Sequence, residues 1–116
     1  MLEERRRWKR FNCEFVCSLL HLGGNAGSAH PAEALVKDIS SGGIRVWTQR
    51  FIPLSTRILS YLQLPNRAPV AVHLKPAWTA ELRHFDRYET GFTFEAVSDE
   101  EKSLLEDYQQ ELSRAV

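Results

Sequence analysis

The chain has 116 residues, 43% of them hydrophobic and 26% charged, and its formal net charge is zero. That size and balance fit one soluble globular domain and exclude a disordered chain, a collagen-like repeat and a helical membrane protein, since no stretch approaches the roughly 18 to 20 consecutive apolar residues that cross a bilayer. Two cysteines are too few for a disulfide framework, and no uninterrupted apolar segment follows the charged start, so a cytoplasmic protein with no membrane association is expected.

Arg5, Arg6, Arg7, Lys9 and Arg10 put five cations within six residues, while Asp99, Glu100, Glu101, Glu106, Asp107 and Glu111 make the far end acidic. The zero total therefore hides a concentrated anion-attracting arm over residues 1–10. From Phe11 to Leu22, apolar and polar residues alternate with the period of a half-buried strand. Cys13, Cys17 and His21 share one face of it, a spacing from which a metal site could be built. A tetrahedral site lacks a fourth ligand there, however, and Phe11, Phe15 and Leu19 lie on the same face. The cysteines read as small core residues, and no metal is expected.

Gly23 to Ser28 is a loop by its three glycines. Ala32 to Ile39 is the second expected strand, and Asp38-Ile39-Ser40-Ser41-Gly42-Gly43 turns it into extended structure over Ile44 to Thr48. Ile52 to Ser55 breaks that run before a strand at Arg57 to Leu64, and Pro65 to Pro69 turns again. Val70 to Arg83 is strand-like, but Pro76 cannot donate to a ladder, so a bend or an edge position is expected there, with two shorter strands as the outcome. Asp86-Arg87 leads tightly into Tyr88 to Glu95, with Thr90, Phe92 and Phe94 on one face. Strand spacing and turn density favour a small antiparallel sandwich or barrel.

Ser98-Asp99-Glu100-Glu101 matches a capping box, which predicts a helix over 98–115 whose apolar stripe is Leu104, Leu105, Tyr108 and Leu112, with Gln109 outside it. The chain thus reads as a single domain over residues 1–116, in three parts: the basic arm, an all-β body over 11–96, and the terminal helix.

Two short motifs carry the functional signal. Arg6-Arg7-Trp8-Lys9-Arg10 has the form R-x-x-x-R, with Arg5 in front, and Asp38 to Gly43 has the form D-x-S-x-x-G. Each alone is weak, because arginines four apart are common and Asp, Ser and Gly often make a hairpin turn. In this order, followed by short strands, a Gly91-Phe92-Thr93-Phe94 strand and a final helix, they make the chain resemble the PilZ domain family from about Glu4 to Arg114. The resemblance implies a six-stranded antiparallel β-barrel with a C-terminal α-helix that binds the bacterial second messenger cyclic di-GMP. It further implies that Arg6 and Arg10 are the motif arginines and that Asp38, Ser40, Gly42 and Gly43 form the turn side of the site. An arginine at Arg5 is associated in the family with a stacked pair of ligands, so two molecules are the favoured reading.

The chemistry suits these residue types. A guanidinium fork meets a phosphate, or the O6 and N7 acceptors of guanine, with two parallel hydrogen bonds, which an ammonium cannot do. A carboxylate such as Asp38 accepts from guanine N1–H and N2–H. Glycines at the turn let backbone amides come close. Mutual repulsion would keep the arm mobile until ligand phosphates neutralise it, after which the arm closes and changes the surface offered to a downstream protein partner. Trp8 could stack on a guanine or pack the arm, Trp47 and Trp78 read as core or wall residues, and His30, His73 and His84 read as surface or strand positions.

No phosphate-cradling lysine loop, nucleophile elbow or zinc-protease helix occurs, so the chain reads as a non-enzyme with no cofactor. Two rivals stand beside this reading: a PilZ-like adaptor that works through protein contacts alone, and a small nucleic-acid-binding barrel that uses the basic arm.

Overall fold

A computed structural model describes residues 9–22 and 32–114; Arg5, Arg6, Arg7, Trp8, the loop from Gly23 to Ser28 and His30 lie outside the described residues. Alternation builds each strand. In β1 (Phe11–Leu22), Phe15, Cys17 and Leu19 are buried while Glu14 and Val16 face out. In β3 (Gly43–Thr48), Ile44 and Val46 point inward between outward Arg45 and Trp47. The remaining strands are β2 (Ala32–Ile39), β4 (Arg57–Leu62), β5 (Val70–Leu82) and β6 (Arg87–Ala96).

These six strands close into an antiparallel barrel in the order β1-β2-β3-β6-β5-β4. Closure removes the sheet edges that would otherwise template aggregation. The sequence left sandwich and barrel open, and the register settles it in favour of the barrel. Val36, Ile39, Ile44, Val46, Ile58, Leu62 and Leu74 are fully buried at its centre.

Pro76 does not divide its segment. β5 runs unbroken through it, and the register against β6 slips by one residue between Pro76 and Trp78. The bulge absorbs the missing N–H, and β4 pairs with β5 only as far as Leu74, so no ladder partner is lost on the other side. The expected pair of shorter strands is therefore a single bulged one. The same bulge changes the phase of the strand and turns Trp78 outward. Neither Trp47 nor Trp78 lies in the core; both stand on the outer wall, Trp47 because Val46 beside it takes the inward position.

Helix α1 (Asp99–Arg114) begins with the reciprocal cap that its sequence predicts: the Glu101 amide donates to Ser98 Oγ at 3.1 Å, and the Ser98 amide to Glu101 Oε1 at 3.0 Å. Its buried stripe is Leu105, Tyr108 and Gln109, with Leu112 partly covered, whereas Leu104 is exposed. The expected roles of Leu104 and Gln109 are thus exchanged. Positions 105, 108, 109 and 112 share one helical face, and Leu104 sits about 100° round from Leu105. Tyr108 meets Phe15 edge to face, with ring centroids 5.7 Å apart, and the Arg67 guanidinium of the β4–β5 turn lies over the same ring at 5.5 Å. The helix thereby covers the end of the barrel where β1 starts and β2 turns into β3.

Candidate functional site

The β1–β2 register brings the two motifs together. Phe11 pairs with Ile39 and Asn12 with Asp38, so the residue just ahead of β1 lies over the end of β2. Asp38 is flanked by irregularities on both sides: β1 carries an extra residue between Asn12 and Phe15, and β2 one between Val36 and Asp38. Bulges of this kind re-aim side chains. Here they bring the Asp38 carboxylate, only 8% exposed, between two guanidinium groups: Arg10 Nη1 donates to Oδ1 and Arg45 Nε to Oδ2, each at 2.7 Å.

The turn that follows is held from inside. Ser40 is 3% exposed, and its Oγ accepts from the Gly42 amide at 3.2 Å while its own amide donates to the Gly43 carbonyl at 2.9 Å. The hydroxyl is therefore engaged within the turn and fixes the loop that presents Asp38. Gly42 is tied to the barrel by its carbonyl, which accepts from the Phe94 amide at 2.9 Å. Gly43 has a different constraint: a Cβ there would stand 1.9 Å from the Phe92 carbonyl oxygen, so only glycine lets β3 and β6 meet at this point.

Two residues absent from the sequence reading complete the charge layout. Arg45 reaches from Asp38 to Glu89 on β6, donating its Nη1 to Glu89 Oε2, and that same oxygen accepts from the Trp47 indole N–H at 2.9 Å. Burial alone would lower the Arg45 pKa, but its hydrogen bonds to Asp38 and Glu89 outweigh this and raise it. The alternation of Ile44 and Val46 marks Arg45 as outward-facing in the sequence. Its link to Glu89 requires the β3–β6 register, which places Trp47 opposite Glu89 and Arg45 opposite Gly91.

Trp78 adds an aromatic surface to this row. It pairs with Gly91 across β5–β6, is 40% exposed, and a Cβ at Gly91 would fall 2.2 Å from its indole nitrogen. Arg10 also lines a groove of about 540 Å³ with Lys9, Phe11, Asn12, Leu112 and Ser113, between the start of β1 and the last turn of α1. That volume is in the usual range for small-molecule clefts. The structure thus brings Arg10, Asp38, Ser40, Gly42 and Gly43 to one end of the barrel, whereas Arg5 and Arg6 lie outside the described residues. Cys13 and Cys17 face the core, where burial pushes their thiols up to about 11 and about 12; His21, His73 and His84 are exposed.

A barrel in this strand order, shut by a terminal helix beside an Asp-x-Ser-x-x-Gly turn, is a PilZ-type architecture, and solved structures share it. The PilZ domain of YcgR from Escherichia coli, solved with c-di-GMP, superposes with a TM-score of 0.73 at 16% identity, covering 96% of this chain and 93% of that one. The c-di-GMP complex of MrkH from K. pneumoniae gives 0.80 at 19% identity, and the Bacillus subtilis inhibitor of motility gives 0.74 at 13%. This chain covers 96% and 94% of its own length in those two matches, but spans only 53% and 52% of theirs. At such identities the likeness is one of fold. No curated protein matches the chain in sequence. The PilZ domain, however, matches residues 4–111, and the chain belongs to that family. Among the described residues no helix is long and apolar enough to cross a membrane.

Proposed function

We propose that this chain is a receptor domain for cyclic di-GMP, a binding module and not an enzyme, acting in the cytoplasm on a downstream protein. The observation that carries the reading is the meeting of Arg10 and Asp38 at 2.7 Å, which puts one end of the R-x-x-x-R motif on the D-x-S-x-x-G motif. The c-di-GMP complexes of YcgR and MrkH, which share this fold, support the choice of ligand.

The geometry suggests an exchange of partners. Asp38 is nearly enclosed, with Arg10 on Oδ1. A guanine edge that offers N1–H and N2–H to that carboxylate takes the place of the Arg10 guanidinium, which swings onto a ligand phosphate or onto O6 and N7. The Arg10 side chain is 35% exposed, the more open partner of the pair. Arg6 joins it from the arm, Ser40, Gly42 and Gly43 hold the turn in shape, and Arg5 favours a second, stacked ligand. Trp78 offers an exposed ring on the same wall. Closing of the arm on the ligand then alters the surface next to α1, since Lys9 and Arg10 share a groove with Leu112 and Ser113.

Calorimetric titration with cyclic di-GMP tests the reading, using the wild-type chain and the variants Arg6→Ala, Arg10→Ala and Asp38→Ala. Binding by the wild type and its loss in all three folded variants is the expected result. A wild-type chain that takes up no cyclic di-GMP is instead a protein-contact adaptor. Salt-sensitive binding of single-stranded nucleic acid that survives Asp38→Ala would select the nucleic-acid reading. Arm amides that stay equally mobile in NMR spectra at saturating ligand would rule out the closing step alone.

A further inference from the structure

We infer that Glu89, acting through Arg45, is a positioning residue for the nucleotide site, an inference that rests on the cyclic di-GMP reading above. Glu89 lies on β6, and its carboxylate touches neither motif; it holds the far end of Arg45, whose near end holds Asp38.

The need for such a brace follows from burial. Asp38 is 5% exposed, and a buried carboxylate that loses its cation is left uncompensated, which is costly. When Arg10 turns to the ligand, Oδ1 is vacated, and Arg45 on Oδ2 is the cation that remains. It keeps the carboxylate paired and holds its open oxygen toward the incoming base. Arg45 could itself be drawn off by the ligand's phosphates, being a guanidinium on the same outer wall. Its second anchor opposes that: Glu89 Oε2 takes Nη1 and is itself fixed by the Trp47 indole N–H at 2.9 Å.

Backbone pairing makes the bridge possible. Arg45 stands directly opposite Asp38 on one side and Gly91 on the other, and Glu89 is the diagonal neighbour two residues from Gly91 on the same face. Arg45 is thus a fixed cation and Arg10 the exchangeable one, a division of labour that the R-x-x-x-R motif does not show.

A double-mutant cycle read by cyclic di-GMP titration tests the brace. Glu89→Ala and Arg45→Gln should each weaken binding about tenfold, and the double variant no further, because both remove one path to Asp38. Glu89→Gln keeps an acceptor for Arg45 and Trp47 and should restore affinity to within about threefold of wild type. Glu95→Ala, which removes the exposed Arg57–Glu95 pair (3.0 Å) from the same strand, should leave affinity unchanged. Thermal denaturation of each variant separates folding from binding. Should Glu89→Ala not fold, Arg45→Lys serves instead: it keeps one charge but cannot fork onto two carboxylates, and affinity should again fall. A wild-type chain that binds, with unchanged affinity in these variants or losses that simply add, overturns the brace alone. A wild-type chain that does not bind overturns the receptor reading and the brace with it.

Discussion

Arg10 and Asp38 are separated by 27 residues and meet through a single 2.7 Å hydrogen bond, guanidinium to carboxylate, at the lip of the barrel. The contact costs little to open, because Arg10 is the more exposed partner and Asp38 keeps Arg45 when Arg10 leaves. Its strength matches its proposed use: a pair tight enough to seat the end of the arm and loose enough for an anionic ligand to replace.

Arg10→Ala and Asp38→Ala should therefore differ in stability while agreeing in binding. Arg10 is the exposed partner of the pair and Arg45 still compensates the enclosed Asp38 carboxylate when Arg10 is gone, so Arg10→Ala should cost no more than about 1 kcal/mol and shift the denaturant midpoint little. Asp38→Ala strips Arg45 of one of its two carboxylates and leaves a hole beside the turn, with an expected cost of about 1 to 3 kcal/mol. Both should abolish measurable cyclic di-GMP binding. Equal losses of stability would mean that Arg10 is structural.

Gly43 and Gly91 make contrasting predictions. At Gly43 the obstacle to a Cβ is the Phe92 carbonyl oxygen, 1.9 Å away, and backbone cannot step aside without breaking the β3–β6 pairing. Gly43→Ala should destabilise by about 2 to 4 kcal/mol or fail to fold, as measured by thermal denaturation. At Gly91 the obstacle is the half-exposed Trp78 side chain, which can swing into solvent. Gly91→Ala should cost only about 1 to 2 kcal/mol and shift the tryptophan emission to the red.

Much of this molecule was legible in its sequence because the physics is local. Alternation in Phe11–Leu22, the strand at Ala32–Ile39, the Ser98–Glu101 cap and the Asp38–Gly43 turn all depend on neighbours within a few positions, and all are found where expected. The family's barrel followed from motif order. What stayed hidden depends on register. Arg45 faces outward by alternation, but its reach to Glu89 needs β3 beside β6, a pairing of residues about 40 to 50 positions apart along the chain. The sequence leaves Trp78 as core or wall for a related reason: the bulge after Pro76 shifts the alternation by one residue, so a period-two count run through it does not choose the face. On α1, Gln109 was set outside the apolar stripe by its polarity, although its position puts it on the buried face.

The helix gives a prediction on packing. Leu105 is 3% exposed against the barrel core, so Leu105→Ala should lower stability by about 2 to 5 kcal/mol, whereas Leu104→Ala, at an exposed position one residue away, should change it by less than about 0.5 kcal/mol. Chemical denaturation of the two variants checks the corrected stripe. The reverse order of effects would restore the stripe expected from apolar residues alone.

Buried acids set the response to alkali. Burial, with the Asp38 charge next in importance, pushes the Cys13 thiol from 9.0 up to about 11, and burial pushes Cys17 from 9.0 up to about 12. Burial, with Cys13 next, moves the Tyr108 hydroxyl from 10.0 up to about 12. In each case the fold favours the protonated form, and the unfolded chain releases its proton at lower pH. The stabilisation is complete below about pH 9 and is lost as pH climbs through the folded values, since the unfolded state there binds fewer protons. Urea midpoints should accordingly be level from pH 7 to 8.5 and fall steadily between pH 9.5 and 11.5. Alkylation by iodoacetamide at pH 8 should be slow at Cys17 until the chain unfolds, because the reactive thiolate is scarce and the sulfur is enclosed. Rapid labelling of Cys17 in the folded protein, or a midpoint that rises above pH 9.5, would show that the helix and β1 do not enclose these groups as described.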